Sequence, residues 1–464
     1  MSAVEAPVLL GRICSSWRAI SLTTPRLWSR LHVVQPSQSW SARTTAGAVF
    51  EKKLALRLET TKTWLSRSGQ CPLSISLQCG SDMHPPPADV DTAATKTRLF
   101  MQAIIPCTPR WKDIILYVPS KALEVLSNLT EDDVPMLQRL QISHGPDWDL
   151  PTQPPFALIR APNLIDLTLG GTASIQDLPV RWENLTHLNA WSQNGSSLSC
   201  STVAKLLARS SRLQACSFYI SSANGFDSTP LDGSGSIIEL PFLHSFHITS
   251  TDLPLREVGN LLCRLSLSGL RDVDLRRGNH MQNDIDNQFV TDILAFLGVS
   301  SCFESLTMDT QLLIPSSLVQ LLRGLPASTT CLRIADCVYS WDPSTDIGLF
   351  DDEMLAVLTP TPENPGSCPA LQKLHIIRCS APSDAALLQF IRTRMAVSPR
   401  TLETVEIKFS REMQLDIAAD IQPFLDDGRL KVITTYTRSP AVEGFSPWDG
   451  LPDAPHIVAQ RDDF

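Results

Sequence analysis

Ten times between Met136 and Ile407 the same six-residue pattern returns: an apolar residue, two variable positions, an apolar residue, one variable position, another apolar residue. The copies are LQRLQI from 137, LIDLTL from 164, LTHLNA from 185, LQACSF from 213 and LHSFHI from 243. They continue as LRDVDL from 270, FESLTM from 303, a weaker copy from 329 closing on TCLRI, LQKLHI from 371 and LETVEI from 402. Looser copies, WKDIIL from 111 and LKVITTY from 430, flank the set. The fourth and sixth positions alternate with period two, so their side chains share one face of a strand. Start-to-start distances of 27, 21, 28, 30, 27, 33, 26, 42 and 31 residues place those strands at a recurring but uneven period.

A period of about 20 to 29 residues with the core L-x-x-L-x-L-x-x-N/C-x-L is the signature of leucine-rich repeats, in which neighbouring strands stack into one parallel sheet. Cys337 follows Ile334 by three residues and Cys379 follows Ile376 by three, which places cysteine at the small buried position of two copies. His375 and Cys331 belong to the same two copies and are accounted for by the pattern. Between copies, STVAKLLARS, QFVTDILAFLG, SSLVQLLRGLP and DAALLQFIRTRM carry apolar residues at helical spacing. The expected fold class is therefore α/β: an irregular leucine-rich-repeat solenoid, with a curved parallel sheet and helices on the convex side. The longest gap should hold an insertion near Trp341 to Pro365. A barrel or doubly wound sheet also alternates strand and helix, but rarely repeats one signature in each strand.

The sequence carries little that points to chemistry. Neither G-x-G-x-x-G, G-x-x-x-x-G-K-[ST] nor G-x-S-x-G occurs, and DGSGS at 232 has no lysine to hold a phosphate. His244 and His247 lie three apart on an expected strand, on opposite faces, with no cysteine pair nearby in sequence. The acidic runs at Glu131–Asp133 and Asp351–Glu353 suit solvated loops or helix starts. Trp111, Trp182, Trp191 and Trp341 read as packing residues, although a tryptophan exposed on the concave sheet would make an interface hot spot. We expect no catalytic, cofactor-binding or metal residues. Net charge is −9 without a basic run, which speaks against nucleic acid and against a membrane surface. No stretch approaches the ~18 apolar residues of a membrane span. With no signal-like start and twelve unpatterned cysteines, the expected compartment is cytoplasmic and/or nuclear.

The first residues differ in style. Leu10, Ile13, Trp17 and Ile20 recur at spacings of 3, 4 and 3, the mark of one helical face. Thr24 and Pro25 then offer a cap and a first-turn proline for a second short helix carrying Leu27, Trp28 and Leu31. Phe50, Leu54, Leu58 and Leu65 predict a linking helix ending at Gly69. A possible first strand, PLSISLQ, follows, and a further helix is expected from Thr92 to Ile105.

The segment VLLGRICSSWRAISLTTPRLWSRLHV resembles the second half of an F-box, with its cysteine, tryptophan-arginine pair and P-x-L-W-x-x-L ending. The matching positions are Ile13, Cys14, Trp17, Arg18, Ile20, Pro25, Leu27, Trp28 and Leu31, with Leu10 one turn ahead. TWLSRSGQCPLSISL, PCTPRWKDIILYVP and MLQRLQIS follow in the order seen in F-box and leucine-rich-repeat proteins common in mushroom-forming fungi. The family's first helix, L-P-x-E-[IL]-L, has no counterpart in residues 1 to 9. The resemblance implies a non-enzymatic substrate-recognition subunit of a cullin-RING ubiquitin ligase: those ten residues would dock on a Skp-type adaptor and its cullin, and the repeats would hold a protein substrate. Residues 1–35 would form the partial F-box, 36–110 a helical connector, 111–436 the solenoid and 437–464 a cap or tail. The alternative is a protein-binding scaffold whose front helices only cap the array.

Overall fold

A computed structural model describes residues 7–36, 46–79, 87–144, 156–170, 175–191, 198–221, 235–251, 255–277, 287–336, 349–361, 366–397, 401–428 and 430–437. In chain order the strands are β1 (Arg30–Val34), β2 (Leu73–Gln78), β3 (Trp111–Val118), β4 (Arg139–His144), β5 (Asp166–Gly170), β6 (His187–Trp191), β7 (Ala215–Ser221) and β8 (Ile238–Glu239). They continue as β9 (Ser245–Thr251), β10 (Leu265–Ser266), β11 (Asp272–Arg277), β12 (Ser305–Asp309), β13 (Cys331–Ala335), β14 (Lys373–Cys379), β15 (Thr404–Phe409) and β16 (Lys431–Tyr436). Fourteen of them form one wholly parallel sheet in which each strand pairs with the next along the chain. The exceptions, β8 and β10, make a separate two-stranded parallel pair.

Each of the ten copies places its strand from the third residue onward, and the fourth and sixth positions turn inward as the alternation requires. Pairing stacks them into two ladders: Leu140, Leu167, Leu188, Cys216 and Phe246 in one, Ile142, Leu169, Ala190, Phe218 and Ile248 in the other. A buried Leu or Ile in such a stack contributes about 1.5–3 kcal/mol relative to exposure. The leading apolar residue is buried as well and closes the turn into its strand: Leu213 N–H, for example, donates to Ser210 O.

Helices return the chain between strands. They are α1 (Leu10–Ile13), α2 (Ser15–Thr23), α3 (Ala46–Arg67), α4 (Pro87–Ile104), α5 (Phe156–Ile159), α6 (Cys200–Arg209), α7 (Leu255–Cys263), α8 (Asn287–Gly298), α9 (Pro315–Gly324), α10 (Asp352–Leu358), α11 (Asp384–Ala396) and α12 (Ala418–Asp426). From α6 onward consecutive helices pack side by side, and their buried faces, such as Val203, Leu206 and Leu207 of α6, join the strand ladders in one continuous core. The opposite face of the sheet carries the variable strand positions.

Several boundaries differ from the expectation. The solenoid begins at Arg30, inside residues 1–35, because RLHVV alternates Leu31 and Val33 inward and pairs with β2 over its full length. The second short helix is a single 3-10 turn, Pro25–Trp28, and Leu31 belongs to the strand. Residues 36–110 are no separate connector: α3 and α4 are the first two crossovers, PLSISLQ is the second rung, and α4 starts at Pro87. Gly69, with φ 56°, ends the turn after α3 as its position predicts. The anticipated single helix through Leu10 and Ile20 breaks at Cys14, whose φ of −158° and ψ of 173° are extended. Cys379 is buried as anticipated, whereas Cys331 pairs beside Ser305 on the outward, half-buried side of β13. Cys337 and Trp341 lie outside the described residues, as do residues 438–464; α10 occupies part of the expected insertion.

The C-terminal rungs are tied by buried charge. Arg394 of α11 donates from Nε and Nη2 to Leu358 O at 2.9 and 2.6 Å, from Nη1 to Cys368 O at 3.0 Å, and from Nη2 to Ser367 O at 2.6 Å. Asp384, at the start of the same helix, accepts from Arg411 Nη2 at 2.9 Å, the amides of Gln414 and Leu415 at 2.7 and 2.8 Å, and Tyr436 OH at 3.1 Å. Burial pushes the Asp384 carboxyl up, but the Arg411 guanidinium and the two amides outweigh it and hold it below the ordinary carboxylate range.

Candidate docking face and open sheet face

The ten residues of the N-terminal motif divide into two groups. Trp28 (4% exposed) and Leu31 (2%) belong to the solenoid core, with Leu27 partly buried against it. The Trp28 indole meets Trp64 of α3 edge-on, with centroids 4.8 Å apart, and the Arg67 guanidinium lies over the Trp28 ring at 4.6 Å. Trp28 Nε1 donates to Ser21 O at 2.7 Å, and Ser21 Oγ donates to Pro7 O at 3.1 Å. Arg18 Nε bonds Gly11 O at 2.8 Å and folds α1 back on α2. These bonds key the α1–α2 hairpin to the first rung, so Trp28 and Leu31 position the face and are not available to a partner.

The second group is outward. Ile13 (58% exposed), Trp17 (46%) and Ile20 (51%) form an apolar strip on the hairpin, beside exposed Leu9 and Leu22. Cys14, Arg18 and Pro25 are exposed, and Leu10 is half-buried. Single exposed apolar residues are ordinary, but a group of them on one short element marks an interaction surface. Behind the strip, a cleft of about 510 Å³ separates the hairpin from α3, floored by Trp28, Trp64, Val8 and Leu22 and edged by Arg12, Arg18 and Arg67. Helical spacing alone did not distinguish the buried group from the exposed one.

The open sheet face has three zones, set by which variable residues the register brings together. Over β3–β7 it carries half-buried Tyr117, Trp191 and Tyr219. The Trp191 indole lies across β5 because Gly170 has no side chain there; a Cβ would stand 2.6 Å from Nε1. Of the three described tryptophans of that set, Trp191 is thus the one on the open sheet face, while Trp111 and Trp182 are fully buried.

Over β9–β12 charges satisfy one another. His247 Nε2 lies 3.1 Å from Asp272 and 2.7 Å from Ser245 Oγ, its Nδ1 lies 3.6 Å from Asp274, and Arg276 Nε donates to both oxygens of Asp274 at 2.9 and 3.1 Å. The hydrogen bond to Asp272 raises the His247 pKa, partly opposed by burial. Burial pushes Asp272 up, and hydrogen bonds from His247 and Ser305 outweigh it and lower its pKa. Burial raises that of Asp309, even though the Arg277 amide donates to it at 2.7 Å. His244, outside the strand, takes no part in this cluster. Over β13–β16 the face is cationic, with Arg333, Lys373, Lys408 and Lys431 against Glu406, which lies 3.2 Å from His375.

Among the described residues no group of His, Cys, Asp and Glu is arranged to hold a metal ion, and no helix is long and apolar enough to cross a membrane. The described cysteines are all free thiols. Fold and surface together define an irregular α/β solenoid of the leucine-rich-repeat type with a short helical hairpin keyed to its first rung. No protein-family model and no curated protein matches the sequence. Among solved structures, a chain of the Rad7 and Elc1 complex in yeast is similar over 86% of this chain and 98% of that one, with 13% identity and a TM-score of 0.34.

Proposed function

We propose that this protein is a non-enzymatic adaptor of the F-box and leucine-rich-repeat type, whose N-terminal hairpin docks on a Skp-type subunit of a cullin-RING ligase while the open sheet face holds a protein substrate. Ubiquitin transfer would then be performed by the other subunits. The observation that carries this reading is the exposed Ile13, Trp17 and Ile20 strip, which lies within the segment resembling an F-box. Burying such a strip against a partner contributes about 25 cal/mol per Å² of apolar surface. The test is co-purification of the full chain with the Skp-type adaptor and cullin, compared with an Ile13→Asp/Trp17→Ala variant. Capture of the wild type and loss in the variant supports docking; no capture of the wild type sinks it.

The scaffold reading has its own support in Trp28 and Leu31, which the first rung needs for its core. Deleting residues 7–23, ahead of that pair, separates the two. A hairpin that serves only as a cap predicts loss of the β1–β3 fold on deletion, whereas a docking hairpin predicts a folded array that no longer captures the adaptor.

A further inference from the structure

Four cations and one carboxylate occupy the outward positions of β13–β16, and that carboxylate, Glu406, is already engaged by His375. Arg333, Lys373 and Lys431 are exposed and form no ion pair among the described residues. The neighbouring zone is the reverse: Asp272 and Asp274 are bonded to His247 and Arg276, and Asp309 to the Arg277 amide. The chain as a whole carries a net charge of −9, so an acidic partner gains little from its overall field and is drawn to the end of the sheet where Arg333, Lys373 and Lys431 stand without an ion pair among the described residues.

Spacing sets the size of the ligand. Lys373 pairs with Thr404, which pairs with Lys431, and strands about 4.8 Å apart put those two lysines about 10 Å from each other. From β13 to β16 is about 14 Å, the reach of four or five residues of extended chain at about 3.3 Å each. Half-buried Ile377 and Ile433 lie on the same face among the cations and offer apolar contact.

We propose that this end of the sheet receives an acidic segment of a partner protein: about five extended residues, two or three of them Asp or Glu, laid across β13–β16. The proposal rests on the reading of the sheet as the substrate side of an adaptor. Its test does not involve the N-terminal hairpin, so failure of docking and failure of substrate recognition are seen separately.

The probe is a fluorescein-labelled peptide of five glutamates between Gly-Ser ends, titrated by anisotropy against the full chain. Its lysine counterpart, its phosphoserine counterpart and a single-stranded RNA of similar length run alongside. We expect the glutamate peptide to bind and the lysine peptide not to, with affinity falling about tenfold between 50 and 300 mM salt, since exposed charges are screened. R333E/K373E/K431E should weaken binding at least about tenfold, because it reverses three charges that each contribute modestly. R333Q/K373Q/K431Q should fall between, and it carries the test if the reversal variant does not fold. Capture of the Skp-type adaptor should be unchanged in both variants. Absence of glutamate-peptide binding, equal binding by the wild type and both variants, or tighter binding of the RNA or the phosphoserine peptide by tenfold or more would overturn the proposal.

Discussion

Arg394 gives the sharpest test of how the C-terminal rungs are held. Its guanidinium is buried with no carboxylate partner among the described residues, and it bonds the carbonyls of Leu358, Ser367 and Cys368. Cys368 has φ 53°, a left-handed conformation that a side chain disfavours, so the arginine clamps a strained turn between α10 and β14. Burial lowers the Arg394 pKa, but a guanidinium remains charged at neutral pH. Arg394→Met keeps the stem and removes every donor. The Leu358 and Ser367 carbonyls would lose this donor at about 1–3 kcal/mol each, while Cys368 O keeps the Leu371 amide; relief from burying a charge offsets part of that, leaving a loss of about 2–4 kcal/mol. Arg394→Lys retains a charge that can reach one or two carbonyls, and should lose about half as much. Hydrogen exchange is the assay, because a repeat array opens locally. At about 1.4 kcal/mol per tenfold, protection across α10, β14 and α11 should fall by about one to three orders of magnitude, while β1–β3 stay unchanged. Unchanged protection around residues 366–396, or a loss spread evenly over the array, would refute the clamp.

Three further outcomes follow from geometry already described. Trp28→Ala should cost about 3–5 kcal/mol, since it empties a buried site and removes an indole hydrogen bond, while Trp17→Ala should stay within about 0.5 kcal/mol in urea unfolding yet lose the adaptor. Burial raises the thiols of Cys200 and Cys379 to about 12 and Cys368 to about 11, so at pH 8 iodoacetamide should modify exposed Cys14 and Cys302 first and spare those three, as read by peptide mass mapping. Because the folded Asp384 pKa lies below its unfolded value, its stabilisation is present above about pH 4 and is lost as pH falls through the folded value; Asp384→Asn should flatten that acid limb in thermal melts.

The ten hexapeptides were legible as strands because period two and a repeated leading leucine coincide, and inward and outward positions could be read from them directly. The first rung was hidden: Leu31 fits both a P-x-L-W-x-x-L motif and an alternating strand, and only pairing with β2 decides between them. β8 and β10, two residues each, are too short to carry a period. For the docking face, helical spacing grouped Ile13, Trp17 and Ile20 but missed the break at Cys14 and could not say which tryptophan the core would take. That depended on Trp64, which lies 36 residues beyond Trp28. The cationic zone was less legible still. Arg333, Lys373 and Lys431 are spread over almost a hundred residues and meet only through cross-strand register.

The serial pairing of the sheet also gives the molecule a direction under load. Each main-sheet strand hydrogen-bonds to its neighbours in chain order, and from α6 onward the helices pack in the same order, so tension on the two ends is borne through a single file of rungs. At the front, Leu31 and Val33 are buried and Trp28 is wedged against Trp64; at the back, every residue of β16 is half-buried or exposed. A pull on both termini should therefore peel the array from its C-terminal end. The 27 residues from Thr404 to Lys431 would release about 90 Å of slack with the last rung. The protein is a tape that unzips from one end, with the first rung around Leu31 and Val33 the last part of the sheet to let go.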